Sequence, residues 1–202
     1  MQDAPHLLHP ATGDTLAGLL NRHSLGPRWL VEPGPSAEQL QQAVRAALRA
    51  PDHGCLRPWR AVVVAPADRA ALGEIFARCA RDAGKPADYV DAERRRAHRG
   101  PVLVAWVARI VGHSEAAPPH EQWIAVGGAL TNFLNAVHLM GYAAKTLSGR
   151  KCSHPLLREA FCGDGETLVG FVCVGTATKP ASPRSVDDAA AQISHWQPPP
   201  AG

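Results

Sequence analysis

Three short polar segments of this chain carry side chains that suit an anionic ligand. They are the first polar segment, Arg22-His23-Ser24, the second, Arg49 with His53, and the third, Thr146-Leu147-Ser148-Gly149. In an Arg-x-Ser pair the guanidinium supplies a charged fork and the hydroxyl a further donor, so such a pair can grip a phosphate. Each hydrogen bond to a charged group contributes roughly 1.5–3 kcal/mol. A turn such as the third segment offers backbone N–H groups to the carbonyl oxygens of a ligand.

Each polar segment also has an ordinary structural explanation. An arginine at position 22 suits the end of a helix, where a cation interacts favourably with the helix dipole, and Ser24 suits a turn. His53 can bond to its own loop, and a Ser-Gly pair marks many turns. The residues alone therefore leave both interpretations open.

The second polar segment belongs to an elbow, A-P-D-H-G-C-L-R-P-W-R-A-V-V-V-A at residues 50–65. A helical pattern ends there because Pro51 disfavours helical geometry in the residue before it. A turn-rich stretch follows, and then an apolar run that predicts a buried strand at residues 59–65. A short loop with positive charge, to which Arg57 adds, suits an anionic or polar ligand. A plain helix-to-strand connection with solvated charges explains it equally well.

Length and composition favour one soluble domain. With 202 residues, 46% of them hydrophobic and 19% charged, the chain is long enough to bury a core without disulfide or metal staples. We expect a single domain over residues 1–202, with a core at about 15–178, a loose N-terminal lead-in and a proline-rich C-terminal tail. A net charge of +3 is too small to indicate nucleic-acid binding.

Several function classes lack their motifs in this sequence. The five cysteines are odd in number and form no C-x-x-C pair, and there is no H-E-x-x-H, so neither a disulfide framework nor a metal site is predicted. No phosphate-binding loop, G-x-G-x-x-G or G-x-S-x-G motif is present. The N-terminus has no signal-peptide pattern and no apolar stretch reaches the ~18 residues of a membrane helix. A cytoplasmic protein without membrane contact is expected.

Hydrophobic periodicity and turn residues divide the chain into alternating elements. They predict helices at 15–21, 36–50, 66–83, 87–98, 121–140 and 155–161, and strands at 59–65, 102–111, 142–147 and 166–175. Ser36 and Gln39 form a capping box at the start of the second helix. The nearly continuous apolar run at 102–111 predicts a central strand covered on both faces. Residues 26–35, rich in Gly and Pro, are expected to be irregular.

The pattern at residues 121–140 is apolar nearly all round, which predicts a buried helix. Gly127 and Gly128 each cost roughly 1 kcal/mol relative to alanine inside a helix. Close packing against another backbone would explain them, and a symmetric subunit contact is one possibility. Trp59, Trp106 and Trp123 are interpreted as core residues, and Cys55 as a small buried apolar residue.

Together and in this order, the segments resemble the FMN-dependent nitroreductase family. The motifs are R-H-S near the N-terminus, A-P-D-H-x-x-x-x-P-W at the elbow, the glycine-bearing helix, G-Y-x-x-x-x-L-S-G, and E-T-L-V-G-F-V-C-V-G-T. The elbow is the most specific of them and is similar to the small branch of the family with P-D-H followed by P-W. The resemblance covers roughly residues 16–179.

The resemblance implies an α+β fold in which helices flank a central, mostly antiparallel sheet. It also implies an intertwined homodimer whose dimer core is the helix at 121–140, with FMN at the subunit interface. By the same resemblance, the first polar segment holds the phosphate and ribityl end of FMN, and the second reaches the flavin from the partner subunit. Thr146, Leu147 and Ser148 line the isoalloxazine ring, and Lys179 or Arg184 adds charge at the phosphate.

The resemblance further implies an oxidoreductase without a catalytic side chain. FMN takes a hydride from NAD(P)H and passes two electrons to a nitroaromatic, a quinone or a related small-molecule acceptor, while the protein places and tunes the ring. The alternative is a dimeric relative, with or without flavin, that sequesters a ligand or serves as a scaffold.

The sequence departs from the family's pattern at a few positions. Thr146-Leu147-Ser148 stands where the branch commonly has Trp-Arg-Ser, which removes a cation that Lys145 can replace. Cys55 and Arg57 stand where the wider family often has Asn and Gln. The loop at residues 25–31 is longer than usual.

Overall fold

Six α-helices and five strands are present in the residues that the computed structural model describes, 13–180 and 189–198. The helices are α1 Gly13–Leu20, α2 Ala37–Ala47, α3 Arg69–Asp82, α4 Ala87–Arg96, α5 Pro119–Leu139 and α6 Pro155–Phe161. The strands are β1 Leu30–Val31, β2 Trp59–Val63, β3 Val102–Arg109, β4 Ala143–Leu147 and β5 Glu166–Ala177. Most of the predicted lead-in, the end of the predicted tail and Arg184 lie outside the described residues.

All strand pairs in the sheet are antiparallel, which confirms the predicted α+β class. The order along the sheet is β1-β5-β3-β2, and β4 also pairs with β5. Two details differ from the prediction. Leu30–Val31 forms a short strand inside the stretch expected to be irregular, and β2 is an edge strand with Arg60 and Val63 exposed rather than a buried strand.

The central strand β3 separates two layers of the core. Because successive side chains point to opposite faces of a strand, Leu103 and Val107 pack on the side of α3 and α6. Val104 and Trp106 pack on the side of α2 and α5, where Trp106 stacks on Trp59 with ring centres 4.7 Å apart. The covering of both faces explains why the sequence of this strand is apolar almost throughout, as predicted.

The start of α2 follows the predicted capping box. The backbone N–H of Ser36 donates to Oε1 of Gln39 at 2.9 Å, and the backbone N–H of Gln39 donates to Oγ of Ser36 at 3.2 Å. These two bonds satisfy N–H groups that have no partner inside the helix. The helix ends at Ala47, three residues before the predicted end.

The long helix α5 is buried on one side only. Its inner side packs on the sheet and on α2, whereas Trp123 is 43% exposed and Ile124 64% exposed. The interpretation of Trp123 as a core residue is therefore wrong for the single chain. A Cβ on Gly128 would lie 3.2 Å from the Cβ of Ala50, so this glycine lets the chain just after α2 approach closely, while a Cβ on Gly127 would meet open space. Although α5 is long and apolar, no helix in the described residues is suited to cross a membrane.

An ion pair ties the edge strand β2 to β5 across β3. Nε of Arg60 donates to Oε1 of Glu166 at 2.8 Å, and Nη2 donates to Oε2 at 2.5 Å and to the carbonyl of Phe161 at 2.6 Å. The backbone N–H of Gly163 also donates to Oε2 of Glu166, at 2.8 Å. The hydrogen bonds from Arg60, followed by the one from Gly163, lower the pKa of Glu166 to about 2.

We expect Glu166→Gln to destabilise the fold by about 1–2 kcal/mol at pH 7. A carboxyl whose pKa is lowered on folding stabilises the native state above its unfolded pKa, and this stabilisation disappears as the pH falls through about 2. The difference between wild type and variant should therefore shrink as the pH falls below 4.5. Urea unfolding at pH 7 and pH 3 measures it, with Glu159→Gln on the exposed side of α6 as the control. An unchanged difference between the two pH values would contradict the assignment.

Candidate active site

The first polar segment lies alongside the start of β4. Ser24 forms an isolated parallel bridge with Ala144, and the backbone N–H of Leu25 donates to the carbonyl of Ala144 at 3.1 Å. From Ala144 the strand continues into the third polar segment, so Ser148 lies roughly 13 Å further along at about 3.3 Å per residue. The structure thus brings the first and third segments onto one sheet edge.

A cleft of about 430 Å³ opens beside Ser24. Its polar and charged lining residues are His23, Ser24, Arg28, Arg99 and Lys179. No carboxylate lines it among the described residues. The cations are also held in place, because Nζ of Lys179 lies 4.7 Å from the ring centre of Trp29 and Cζ of Arg28 lies 5.1 Å from it. Such a set of donors suits an anion.

A second cleft of about 250 Å³ continues the first toward the end of α5. The two share His23, Leu25 and Lys179, and the second also includes His138 and Tyr142. Nε2 of His138 lies 3.0 Å from the carbonyl oxygen of Gly18, which joins the end of α5 to α1. Together the clefts form a groove with the cations concentrated at one end.

The loop that carries Arg99 is fixed by Arg69, a buried side chain that is 5% exposed. Its guanidinium donates to the carbonyls of Ala97 at 2.9 Å, Gly100 at 3.4 Å and Pro101 at 3.1 Å. Burial lowers the pKa of Arg69 from its ordinary value. The guanidinium of Arg69 is thus paired with carbonyl oxygens instead of a carboxylate. Because these bonds hold three carbonyls of the loop together, the loop depends on this one side chain for its shape.

The elbow takes its shape from Asp52. Oδ1 accepts from the backbone N–H of Leu56 at 3.2 Å, and Oδ2 accepts from that of Arg57 at 2.7 Å. Cys55 and Arg57 have positive φ values of 52° and 48°, a conformation that non-glycine residues adopt rarely. Cys55 is exposed, so its interpretation as a buried apolar residue is wrong.

His53 contacts the first turn of α5 rather than its own loop. Its Nδ1 lies 2.7 Å from Oε2 of Glu121, while the histidine itself remains largely exposed. Arg49 is also exposed, at the end of α2. The elbow and the first polar segment therefore lie at opposite ends of α5. Glu121 and His138 are separated by about 26 Å of helix at 1.5 Å per residue, so one chain does not bring the second segment to the first.

The third polar segment needs a glycine on the neighbouring strand. Leu147 pairs with Phe171, and a Cβ on Gly170 would lie only 2.7 Å from the carbonyl oxygen of Leu147 and 3.1 Å from the Cβ of Ser148. Gly149 turns the chain with φ +132°. The third segment is thus held close against β5 with Ser148 exposed.

Comparisons with known proteins agree with this architecture. The model of the Nitroreductase family matches residues 19–176. The chain belongs to the nitroreductase family. It is 33% identical over 170 residues to the Escherichia coli (strain K12) protein named "Putative NAD(P)H nitroreductase YdjA", covering 84% of this chain and 91% of that one. Membership makes the chain an oxidoreductase.

Solved structures share the fold of this nitroreductase. A nitroreductase-like protein from Bacillus cereus matches with a TM-score of 0.76 and 15% identity, over 95% of this chain and 100% of the other. A nitroreductase from Desulfovibrio desulfuricans, described as putative and solved in complex with FMN, matches with a TM-score of 0.67 and 19% identity, over 94% and 100%. At such identities the likeness establishes the fold alone.

Two cationic side chains that line the first cleft were not predicted from the sequence. Arg28 and Arg99 line the first cleft, whereas Arg22, which was expected there, is half-buried at the end of α1 and does not line it. Arg28 follows Ser24 closely in a basic stretch, and this position in the sequence is only a weak indication that it lines the same cleft. Arg99 had no signal, because only the folding of the 97–101 loop over Arg69 brings it to the cleft.

Proposed function

We propose that the protein is an FMN-dependent oxidoreductase that takes a hydride from NAD(P)H and reduces a nitroaromatic, a quinone or a related acceptor. The main support is the cation-lined cleft beside Ser24, at the start of the strand that leads into the third polar segment. The cleft offers hydroxyl, imidazole and cationic donors without a carboxylate among the described residues, which fits a phosphate. When bound, FMN accepts a hydride and delivers two electrons to the acceptor.

The residues of the chain bind and orient this cofactor. Ser24, with Arg28, Arg99 and Lys179 around the cleft, holds the phosphate end, and His23 lies at the junction with the second cleft. Arg22 adds positive charge from the preceding position. Thr146, Leu147 and Ser148 line the ring, with their backbone fixed by pairing to β5. Lys145 supplies a cation near the position where the family's branch has arginine.

The complete site requires a second copy of the chain. Trp123, Ile124 and Leu139 on α5, with Leu19 and Leu20 on α1, form an exposed apolar face, named here the outer face. When two such faces pack about a two-fold axis perpendicular to α5, the N-terminal end of one α5 comes near the C-terminal end of the other. Arg49 and His53 of one protomer then reach the cleft of its partner, which one chain alone does not allow.

The second candidate function is that of a dimeric relative that sequesters a ligand without reductase turnover. Thr146 and Leu147 favour it, because they replace the tryptophan and arginine that the family's branch commonly has at this segment. Flavin titration followed by anaerobic reduction with NADH and with NADPH separates the two. Turnover of an acceptor supports the oxidoreductase, and a protein that is neither coloured nor stabilised by FMN contradicts it. The cytoplasmic location stays a prediction.

We expect Lys179→Gln to raise the dissociation constant for FMN by about ten-fold, since a hydrogen bond to a charged group contributes roughly 1.5–3 kcal/mol. Arg22→Ala should weaken FMN binding by less, because Arg22 adds positive charge near the cleft without lining it. The dimer should persist in both variants, because neither residue lies on the outer face. Fluorescence titration of FMN measures the affinity, and Arg158→Gln on α6 is a control in which a distant exposed cation is lost. Unchanged affinity in a variant would remove that residue from the phosphate site.

A further inference from the structure

A lysine amine lies in the wall of a cavity of about 510 Å³, on the other face of the sheet from α5. The cavity opens between α3, α4 and the turn that follows β4, and it shares no lining residue with the cation-lined cleft. Its volume falls in the range of small-molecule pockets. The lysine is Lys151, and its surroundings favour chemistry that an ordinary surface lysine does not perform.

The amine of Lys151 is partly withdrawn from water. Its Nζ lies 3.8 Å from the ring centre of the buried Phe76, and the side chain is 27% exposed, so a small molecule in the cavity can still reach it. Burial, followed by the nearby charge of Arg96, lowers the pKa of Lys151 to about 8. About a tenth of the molecules therefore carry the neutral amine at pH 7, against fewer than about one in a thousand for an ordinary lysine. Lysines that are desolvated or adjoin another cation are the ones that attack carbonyl carbons.

Glu93 is placed to exchange a proton with this amine. The carboxylate is only 3% exposed, and Nζ of Lys151 donates to its Oε2 at 2.9 Å, while Arg96 binds its Oε1. Because Arg96 keeps its own bond, Glu93 is not left as an unpaired buried charge when Lys151 becomes neutral. The amine thus has a proton acceptor within hydrogen-bond distance in either state.

Two further cations at the cavity attract a negative group on the ligand. Within the part of the chain that the structure describes, Lys85 and Arg150 form no ion pair, and both are exposed at the cavity. Opposite charges at such exposed positions attract one another only modestly. These cations therefore select for a ligand with a negative group, whereas the amine of Lys151 determines the chemistry.

We propose that Lys151 forms an imine with a small aldehyde that carries an anionic group. The neutral amine attacks the carbonyl carbon, a C–N bond forms, and the carbonyl oxygen leaves as water with the two hydrogens of the amine. Oε2 of Glu93 relays a proton from the nitrogen to that oxygen, and no oxidant or reductant is needed. The imine nitrogen, once protonated, keeps a positive charge beside Glu93. This covalent site does not depend on the proposed function.

The test traps the imine on the purified full chain at pH 7 with sodium cyanoborohydride, and peptide mass spectrometry measures the adduct at each lysine. The probes are 4-oxobutanoate against butanal for a carboxylate, and glyceraldehyde 3-phosphate against glyceraldehyde for a phosphate. We expect Lys151 to react at least about ten-fold faster than Lys145 and Lys179, because more of its amine is neutral. The anionic aldehyde of at least one pair should react about five-fold faster than its neutral counterpart, the factor that about 1 kcal/mol gives.

Variants separate the parts of this site. Lys151→Arg should remove the adduct and keep a cation beside Glu93. Arg96→Gln should slow the reaction, because the charge of Arg96 helps to keep the pKa of Lys151 low. Arg95→Gln, an exposed cation of α4 outside the cavity, is the matched control and should leave the rate unchanged.

The double variant Lys85→Gln, Arg150→Gln should lose the preference for the anionic aldehydes and keep the rate with the neutral ones. A Lys151 that reacts no faster than Lys145 and Lys179 would overturn the proposal. Equal rates within both pairs of probes, or a preference that survives in the double variant, would overturn it as well. The rate should be the same with and without added FMN, and protection by FMN would assign Lys151 to the flavin site instead.

Discussion

Gly127→Leu is expected to convert the protein from a dimer to a monomer that no longer retains flavin. Within the single chain a side chain at position 127 meets open space, so the variant can fold. Glycine is roughly 0.8–1 kcal/mol less favourable than alanine inside a helix and leucine ranks close to alanine, so the stability of the isolated chain should not fall. Gly127 is exposed and follows Trp123 by four residues, about one helical turn, so it lies on the outer face. In the proposed dimer a leucine there holds the facing backbone away, and a shared flavin site cannot close.

Light scattering after size-exclusion chromatography measures the molar mass, and visible absorbance measures bound flavin. Ala71→Leu is the matched control, because it adds a similar side chain at an exposed position of α3 on the other side of the sheet. It should leave both mass and flavin unchanged. A dimer that retains its flavin despite Gly127→Leu would contradict the subunit arrangement, and equal effects of both variants would indicate a general loss of folding instead.

Arg69→Met is expected to lower the free energy of unfolding by about 3 kcal/mol. The guanidinium bonds to three carbonyls of the 97–101 loop, and its removal leaves these acceptors without their partner in a poorly solvated place. Each unsatisfied buried group costs roughly 1–3 kcal/mol, although a rearranged loop and water recover part of this. Methionine keeps the length of the side chain, so packing loss adds little.

Urea unfolding measures this change, and Arg78→Met on the exposed side of the same helix is its control. The variant should also bind FMN more weakly at a temperature where it remains folded, because the loop carries Arg99 to the cleft. A loss of stability below about 0.5 kcal/mol, the range of ordinary surface substitutions, would show that the loop holds its shape without Arg69.

Elements with strong local signals could be predicted from the sequence. The capping box of Ser36 and Gln39 is visible in four residues, and α6 was predicted with the bounds it has, since Pro155 begins it and its periodic pattern ends at Phe161. The central strand β3 was recognisable because burial on both faces removes polar residues from its sequence. The polar segments were visible in the residues, and the family resemblance then supplied the sheet type and the roles proposed for those segments.

Features that depend on tertiary contacts could not be predicted in this way. The strand β1 was not predicted, because its two residues are too few to show periodicity. The exposure of Cys55 was not predicted either, because it follows from the backbone shape that Asp52 imposes on the elbow. The apolar pattern of α5 predicts burial on all sides, but it does not indicate which side faces its own sheet. Nothing in the sequence marks Arg69, because its carbonyl partners lie about thirty residues further along the chain and only the fold brings them together.

In the proposed dimer, the length of α5 affects how catalytic capacity depends on the concentration of the chain. In the proposed arrangement, a single chain holds both halves of the flavin site but keeps them about 26 Å apart along the helix. In dilute solution, where most chains are monomers, the concentration of complete flavin sites would therefore rise with the square of the chain's concentration. A modest change in expression would then produce a larger change in catalytic capacity.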